Sequence, residues 1–184
     1  MKSQIFSALK LTFLCLILFS VIYPFSVWTI AQLAPNQGHG EVIEKDGRIV
    51  GFANVGQLFT DDKYFNSRPS AVNYNATGSG GSNKAPSNPD YLKDVQARID
   101  TFLAHNPSVS KAQIPSELVT ASGSGLDPDL SPQGAWVQIP RIAKTRGLSE
   151  EKIKDLVQKS LSKPAIGIET VNVLALNLAL DRLK

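Results

Sequence analysis

The side chains that could act as an activated nucleophile lie in two Ser-x-x-Lys patterns. Ser149–Lys152 and Ser160–Lys163 have the spacing found around the nucleophile of penicillin-recognising serine enzymes. Neither is accompanied by the Ser-Asp-Asn and Lys-Thr-Gly motifs of those enzymes. Ser149 also stands where a helix needs an N-cap, and this structural role explains the first match. A membrane-anchored, extracytoplasmic serine hydrolase is therefore an alternative hypothesis and not the leading one.

Carboxylates and metal ligands form equally weak patterns. Asp127 and Asp129 flank a proline, which favours a turn over a general acid and base pair. The two histidines, His39 and His105, have no zinc-type spacing, and the sole cysteine, Cys15, lies in an apolar run. The sequence predicts neither a metal site nor a cofactor of the chain's own.

A third candidate is the Gly- and Ser-rich stretch 78–89, GSGGSNKAPSNP. A phosphate-binding P-loop needs a Gly-Lys pair between a strand and a helix, and the stretch has no such pair. Amides flanking Gly80 and Gly81 could still form a small anion-binding nest. The composition favours a shaped loop that needs positive φ angles, in which Ser82 and Asn83 bond their own backbone.

The elements that must position these groups begin with an N-terminal anchor. No charged side chain occurs between Lys10 and Glu41, and the run 11–34 is mostly apolar. As a helix this run would be about 36 Å long, enough to cross a bilayer with some tilt. A cleaved signal peptide has a shorter apolar region. We therefore predict a permanent transmembrane helix at 11–34, with a kink at Pro24, after a short cytoplasmic tail at 1–10.

Charge indicates the orientation and excludes one class of partner. Lys2 and Lys10 precede the span, and basic residues favour the cytoplasmic side, so we expect a single-pass protein of the cell membrane with its domain on the outer face. The chain has 19 basic and 16 acidic residues and a net charge of +3, of which these two lysines supply two. The domain thus lacks the basic field that nucleic acid requires.

The remaining chain predicts a single extracytoplasmic α+β domain with a helix-rich C-terminal half. We expect a connector and hairpin at 35–50, with Asp46-Gly47 as its two-residue turn, and the domain proper at 51–184. A short strand is expected near Ile114, at the start of a turn-rich segment. The expected helices follow the N-cap residues Asn88, Ser131 and Ser149, with a restart or kink at Pro140, an end at Gly147 and a last helix at 173–183.

Five segments, in this order, carry a resemblance to one family: YFNSRPSA, GGSNKAPSNP, IPSELVTASGSGLDP, QIPRIAKTRGLS and VNVLALNLALD. They follow one N-terminal span that contains Val21-Ile22-Tyr23-Pro24, and the resemblance extends over nearly the whole chain. The sequence resembles the C subunit of the Kdp-type potassium-transporting P-type ATPase. The resemblance implies an accessory, non-catalytic subunit of an ATP-driven potassium uptake pump.

The same resemblance implies partners and a nucleotide effect. The partners are a channel-like potassium-binding subunit, a P-type ATPase subunit and a small single-span peptide. The family is credited with raising the ATP affinity of the ATPase subunit, as a catalytic chaperone, and Ser79-Gly80-Gly81 resembles part of an ABC-transporter signature. ATP contact would then involve Gly80, Gly81 and Ser82. A domain outside the membrane cannot touch cytoplasmic ATP, so either the effect passes through the complex or the ATP-binding attribution is wrong for this topology.

Partner contacts are expected in the span and in two segments of the domain, 59–90 and 116–140. For Arg68 and Arg141 an internal salt bridge is the alternative, and Glu117 with the two aspartates near 128 could add negative potential beside a potassium entrance. A generic tethered binding module is the third hypothesis for the whole chain. The candidate contact residues are Pro24, Tyr64, Phe65, Arg68, Pro69, Asn83, Glu117, Gln138 and Arg141.

Overall fold

The computed structural model describes residues 2–183 and divides the chain into two compact units, Met1–Glu41 and Val42–Lys184. The first unit is helical over most of its length. Its helix α1 covers Lys2–Ile17, a π-helical turn covers Leu18–Ile22, and α2 covers Tyr23–Ala31.

The helical stretch Gln4–Ala31 is long and apolar enough to cross a membrane. Its limits differ from the predicted ones, because the residues expected as a tail up to position 10 are already helical and residues 32–34 lie beyond the helix. A lysine at position 10 limits how far a helix can sit in hydrocarbon, but it does not end the helix, since lysine is a good helix former.

The π-helical turn accommodates Pro24. A proline has no backbone N–H, and its ring clashes with the carbonyl four residues earlier, here that of Ser20. In the structure the N–H of Tyr23 bonds to the carbonyl of Leu18, five residues back, so the helix is wider just ahead of the proline. The structure thus has a widened turn just ahead of Pro24, and the kink expected there stays a prediction.

The second unit is an α+β domain with a helical C-terminal half, as predicted. Strands β1 and β2 form an antiparallel hairpin, and β5 lies between β3 and β4 in a second antiparallel sheet. The bounds are β1 Val42–Lys45, β2 Arg48–Phe52, β3 Asp129–Leu130, β4 Leu161–Ser162, β5 Thr170–Asn172, α3 Pro89–His105, α4 Pro132–Trp136, α5 Ile139–Arg146, α6 Glu150–Lys159 and α7 Val173–Asp181.

The hairpin has the predicted two-residue turn at the predicted place, Asp46-Gly47. Asp46 and Gly47 have φ angles of 52° and 73°, the conformation of the turn that matches strand twist. The second compact unit begins at Val42 and therefore includes the hairpin. A distant ion pair that sequence spacing does not reveal joins the hairpin to the end of α7: Lys45 Nζ lies 2.9 Å from Asp181 Oδ2.

The predicted helix starts are confirmed by their caps. Asn88, Ser131 and Ser149 each accept a hydrogen bond from a backbone N–H in the first turn of α3, α4 and α6. Pro140 lies in the first turn of α5, where the helix restarts after α4, and Gly147 ends α5 with a φ of 65°.

Three strands were not predicted, and one predicted strand is wrong. Residues 111–118 contain two 3-10 turns, Lys111–Gln113 and Ser116–Leu118, instead of a strand near Ile114. Strands β3 and β4 are two residues long and β5 is three residues long, too short to show an alternating pattern in the sequence.

The core of the domain lies between the second sheet and helices α4 to α7. It also takes in one aromatic ring from the irregular N-terminal part of the domain. The largest fully buried apolar side chains are Phe65, Leu130, Ile142, Ile153, Leu176, Leu180, Val157, Val171 and Val173.

Gly56 marks the point where the chain after the hairpin meets the loop before β3. Its N–H donates to the carbonyl of Leu126 at 2.8 Å, and a Cβ at this position would overlap the backbone carbonyl of Asp127. The buried Gly56 is therefore required for a close backbone approach.

We expect Gly56→Ala to lower the free energy of unfolding by about 2 kcal/mol, because one of two backbone segments must move. Gly78→Ala is the matched control, since a Cβ at Gly78 would meet no atom within 4 Å. Urea unfolding of the full chain in mild detergent, followed by circular dichroism, measures both changes. Equal stability of the two variants would contradict this assignment.

Candidate functional site

The irregular segment 62–66 contains two of the predicted contact residues, and its backbone bonds to buried side chains. The N–H of Phe65 donates to the Asn177 side-chain oxygen at 2.8 Å, and the Phe65 carbonyl accepts from the same amide at 3.0 Å. Asn66 is bonded in the same way by the Gln138 side chain, at 2.8 and 3.1 Å. Two side-chain amides thus replace the neighbouring strand that the segment lacks.

Arg141 of α5 completes this arrangement. Its guanidinium donates to Gln138 Oε1 at 2.8 Å, to the carbonyl of Tyr64 at 3.0 Å, to Asn106 Oδ1 at 3.0 Å and to the carbonyl of Asp62. Burial lowers the pKa of Arg141, and the Asp62 carboxylate, 3.6 Å away, acts against this shift. The group remains a cation that organises several acceptors.

Three predicted contact residues are therefore internal. Phe65 and Gln138 are 0% exposed and Arg141 is 6% exposed. The prediction that these three meet a partner is corrected, because their polar groups are already bonded within the domain and the Phe65 ring lies in the core. For Arg141 the internal alternative is the one that the structure shows.

Arg68 and Pro69 join the same segment to the loop before β3. Arg68 Nη1 lies 2.9 Å from Asp127 Oδ2, which confirms the internal salt bridge considered for this arginine. The carbonyl of Pro69 accepts from the N–H of Ser122 at 3.1 Å. Both Arg68 and Pro69 remain partly exposed, as does Tyr64. Of the remaining candidates, Asn83 and Pro24 are exposed.

The glycine-rich stretch is a shaped loop, as predicted. The N–H of Gly80 and the hydroxyl of Ser79 both donate to the carbonyl of Ser124, at 2.8 and 2.9 Å. A Cβ at Gly81 would lie only 3.1 Å from the carbonyl oxygen of Gly123. The glycines therefore permit two loops to pack backbone against backbone.

Two details expected for this loop, positive φ angles at its glycines and a backbone bond from Ser82, are wrong. The positive φ in it belongs to Asn83, at 52°, and not to Gly80 or Gly81. Ser79, and not Ser82, supplies the side-chain bond that anchors the loop. The Gly80 amide that an anion nest would use already bonds within the domain, and ATP contact at Gly80, Gly81 and Ser82 stays a prediction.

The three acidic residues considered for a potassium entrance have internal partners. Glu117 accepts from the N–H of Ser131 at 3.1 Å and from its hydroxyl, which holds the start of α4. Asp127 pairs with Arg68. Burial raises the pKa of Asp129, and the nearby Asp127 carboxylate raises it further. Their effect on potassium stays a prediction.

Side chains that could do chemistry also take part in structural bonds. The Ser149 hydroxyl caps α6, and the Ser160 hydroxyl donates to the carbonyl of Leu156 at 2.8 Å. His105 Nδ1 lies 2.8 Å from Asp62 Oδ1. Within residues 2–183, no group of three or more His, Cys, Asp and Glu side chains is placed to hold a metal ion.

Asp181, which was not singled out in the sequence, connects three parts of the domain. Its carboxylate lies 2.8 Å from Arg146 Nη2 and 2.9 Å from Lys45 Nζ, and it accepts from the Tyr64 hydroxyl at 3.2 Å. Burial alone would raise the pKa of Asp181, but the hydrogen bonds from Arg146, Lys45 and Tyr64 outweigh burial and lower it.

The model of the KdpC family, described as K+-transporting ATPase, c chain, matches residues 5–182. The chain belongs to the KdpC family. The potassium-transporting ATPase KdpC subunit of Flavobacterium psychrophilum is 59% identical over 182 residues, covering 98% of this chain and 99% of that protein. The KdpC subunits of Flavobacterium johnsoniae and Bacteroides thetaiotaomicron are 58% and 51% identical, each over 98% of this chain and 99% and 98% of theirs.

Membership of the KdpC family confirms the resemblance seen in the five sequence segments. The chain is a subunit of a potassium-transporting ATPase, and its apolar helix Gln4–Ala31 suits a membrane-anchored KdpC chain. Sequence reasoning missed Asn177, although a lone amide within the apolar run VNVLALNLALD is a sign of a buried polar contact.

We expect Arg141→Ala to lower the free energy of unfolding by about 3 kcal/mol or more, because it leaves buried carbonyls without donors. Lys144→Ala, on the exposed side of the same helix, should change it by less than about 0.5 kcal/mol. Thermal and urea unfolding of the full chain in detergent measure both. A small effect at Arg141 would show that segment 62–66 is held by other contacts.

Asp181 should give the domain a specific sensitivity to acid. Because the folded-state pKa is lowered, the stabilisation is present above the unfolded-state value of about 4 and is lost as the pH falls through the folded value. Asp181→Asn should therefore be less stable than the parent chain at pH 7, and the difference should shrink as the pH falls through the folded-state pKa of Asp181. Urea unfolding at a series of pH values from 7 downwards tests this. Asp155→Asn, in an exposed pair with Lys159, is the control and should change the free energy of unfolding at pH 7 by less than about 0.5 kcal/mol.

Proposed function

We propose that this chain is a non-catalytic, single-pass subunit that assembles with a channel-like potassium-binding subunit, a P-type ATPase subunit and a small single-span peptide. Its span Gln4–Ala31 crosses the cell membrane, with the N-terminus in the cytoplasm and the domain on the outer face. The observation that carries the proposal is the KdpC match along 5–182, which includes both the apolar helix and the compact unit after it.

The surface of the helix supports a role in assembly within the membrane. Most of its large apolar side chains, Phe13, Phe19 and Ile30 among them, are more than half exposed, so they suit lipid or the helices of other subunits. The small Ser26 bonds its hydroxyl to the carbonyl of Ile22 at 2.8 Å, which leaves an uncharged surface for close helix approach beside Pro24. The lysines at positions 2 and 10 support a cytoplasmic N-terminus.

The use of the polar side chains supports a non-catalytic role. The hydroxyls of Ser149 and Ser160, and the carboxylate of Asp127, bond to the domain's own backbone and side chains. A reactive group must instead be free to meet a substrate. We propose that the chain needs no cofactor of its own.

We further propose that the chain raises the ATP affinity of the ATPase subunit without contacting ATP. A domain on the outer face is separated from cytoplasmic ATP by the membrane, and Gly80 uses its amide for Ser124. The effect then passes through the span, by favouring that state of the ATPase subunit which binds ATP more tightly. Partner contact on the domain falls to the exposed candidate Asn83 and to the partly exposed candidates Tyr64, Arg68, Pro69 and Glu117.

The test is copurification followed by kinetics. We expect the full chain, produced together with the other subunits, to purify with them in mild detergent, and the complex lacking it to have a higher KM for ATP. Chemical-shift or labelling probes at Gly80 to Ser82 should not respond to a nucleotide analogue. A chain that purifies alone and reacts with a fluorophosphonate probe would instead support the serine hydrolase.

Orientation has a separate test. In a Cys15→Ser background, Ser79→Cys places one thiol on an exposed loop of the domain. A membrane-impermeant maleimide added to intact spheroplasts should label it at once. Labelling only after the membrane is opened would place the domain in the cytoplasm and would restore direct ATP contact as a possibility.

A further inference from the structure

A cleft of about 400 Å³ lies within the domain, between helix α3 and the chain near segment 62–66. Its walls are mostly apolar and include Phe59, Phe102 and Leu118, and two polar side chains of α3, Arg98 and His105, also line it. This α3 cleft has the size and the composition of a small-molecule site, an apolar cavity with a few polar groups. None of the candidate contact residues named from the sequence lines it.

Polar bonds at the end and in the middle of α3 hold this helix over the cleft. Asn106, directly after α3, is 2% exposed and accepts from Arg141 Nε at 3.0 Å. In the middle of the helix, Arg98 Nη1 donates to the carbonyl of Val119 at 3.2 Å. No residue of α3 itself is buried. The helix therefore rests on the domain across a space that its own side chains do not fill.

His105 supplies a hydrogen-bond acceptor to the cleft. Its Nδ1 lies 2.8 Å from Asp62 Oδ1, and Arg141 Nη1 lies 3.6 Å from the same oxygen. A carboxylate accepts hydrogen bonds and has no proton to donate, so a neutral His105 ring carries its proton on Nδ1 and a lone pair on Nε2. Within the described residues this ring makes no hydrogen bond besides the one to Asp62. Nε2 can therefore accept from a bound molecule.

Arg98 supplies a positive charge to the same cleft. Among residues 2–183 its guanidinium has one hydrogen bond, to the Val119 carbonyl, and takes part in no ion pair. A guanidinium has five N–H donors, so most of them are left for a ligand. Arg98 and His105 lie seven positions apart on one face of α3, about 10 Å along the helix, with Phe102 between them.

The order of these groups along the cleft indicates the class of ligand. A carboxylate suits the end at Arg98, because a guanidinium binds a carboxylate through two parallel hydrogen bonds. At the other end a ligand carboxylate would meet the like charge of Asp62, whereas a hydroxyl group would donate to His105 Nε2. The rings of Phe59 and Phe102 between the two ends favour an aromatic body.

We propose that the α3 cleft binds a small aromatic carboxylate whose ring carries a hydroxyl group on the side away from the carboxylate. The carboxylate pairs with Arg98, the ring lies against Phe59 and Phe102, and the hydroxyl donates to His105 Nε2. The bound molecule thereby joins α3 to the chain near segment 62–66. This inference is independent of the proposed function, because the site lies within the domain and needs no other subunit.

The first experiment compares three ligands on the parent chain. Amide chemical shifts of the isotope-labelled full chain in mild detergent are followed during titration. For 3-(4-hydroxyphenyl)propionate, with about 12 non-hydrogen atoms, we expect shifts along α3 and a dissociation constant on the order of 0.1–1 mM. Loss of the hydroxyl, in 3-phenylpropionate, should weaken binding about fivefold, and replacement of the carboxylate, in 3-(4-hydroxyphenyl)propan-1-ol, about tenfold.

The second experiment assigns each end of the ligand to its residue. In Arg98→Met, binding of the hydroxylated acid should weaken about tenfold while binding of the alcohol stays within about twofold. Lys93→Met, which removes an exposed cation from the same helix, is the control and should bind like the parent chain. In His105→Phe, the preference for the hydroxylated acid over 3-phenylpropionate should disappear. A merely structural role of either residue would weaken all three ligands equally and would overturn the assignment.

The third experiment fills the cleft without removing a polar bond. Ala97 is exposed and lines the cleft, so Ala97→Leu should abolish binding, and leucine is a good helix former. Ala104→Leu makes the same change on α3 outside the cleft lining and should bind like the parent chain. Circular dichroism checks that every variant is folded. Unchanged binding by Ala97→Leu, or no shift in the parent chain at about 10 mM ligand, would overturn the proposal.

Discussion

The domain depends on the hydrogen bonds that hold segment 62–66 in its interior. A segment without regular structure can be buried only if its N–H and carbonyl groups find other partners. Gln138, Arg141 and Asn177 supply them, and the bonds to Phe65 span 112 positions in the sequence. They attach the irregular first part of the domain to the helical second part, and they let the Phe65 ring enter the core.

The need to satisfy buried polar groups also explains which side chains remain on the surface of the domain. The polar residues that looked available in the sequence are mostly used inside, as ion pairs, caps and donors to loop carbonyls. Among the apolar side chains that remain exposed are Val42, Ile49 and Phe52 of the β1–β2 hairpin, Ile166 and Ile168, and those of the helix Gln4–Ala31. In this KdpC chain the chemically versatile groups named above are bonded within the fold.

Local signals in the sequence predicted the local features of the fold. The caps at Asn88, Ser131 and Ser149 and the Asp46-Gly47 turn depend on neighbouring residues, and all are confirmed. The burial of Gln138 and Arg141 could not be predicted, because their partners in the unpatterned segment 62–66 lie 72 and 77 positions away. The two- and three-residue strands are too short to show an alternation of apolar and polar residues. Contacts between residues far apart in the sequence, and not unusual residue types, are therefore what the sequence could not predict.

The π-helical turn in the anchor has a geometric consequence for packing. It acts as one inserted residue, so every position after Ile22 is rotated by about 100° relative to an unbroken α-helix. A stripe of small or apolar residues that begins before the turn does not continue straight after it. The surfaces that the two ends of this helix present therefore face different directions from those of an unbroken α-helix of the same sequence.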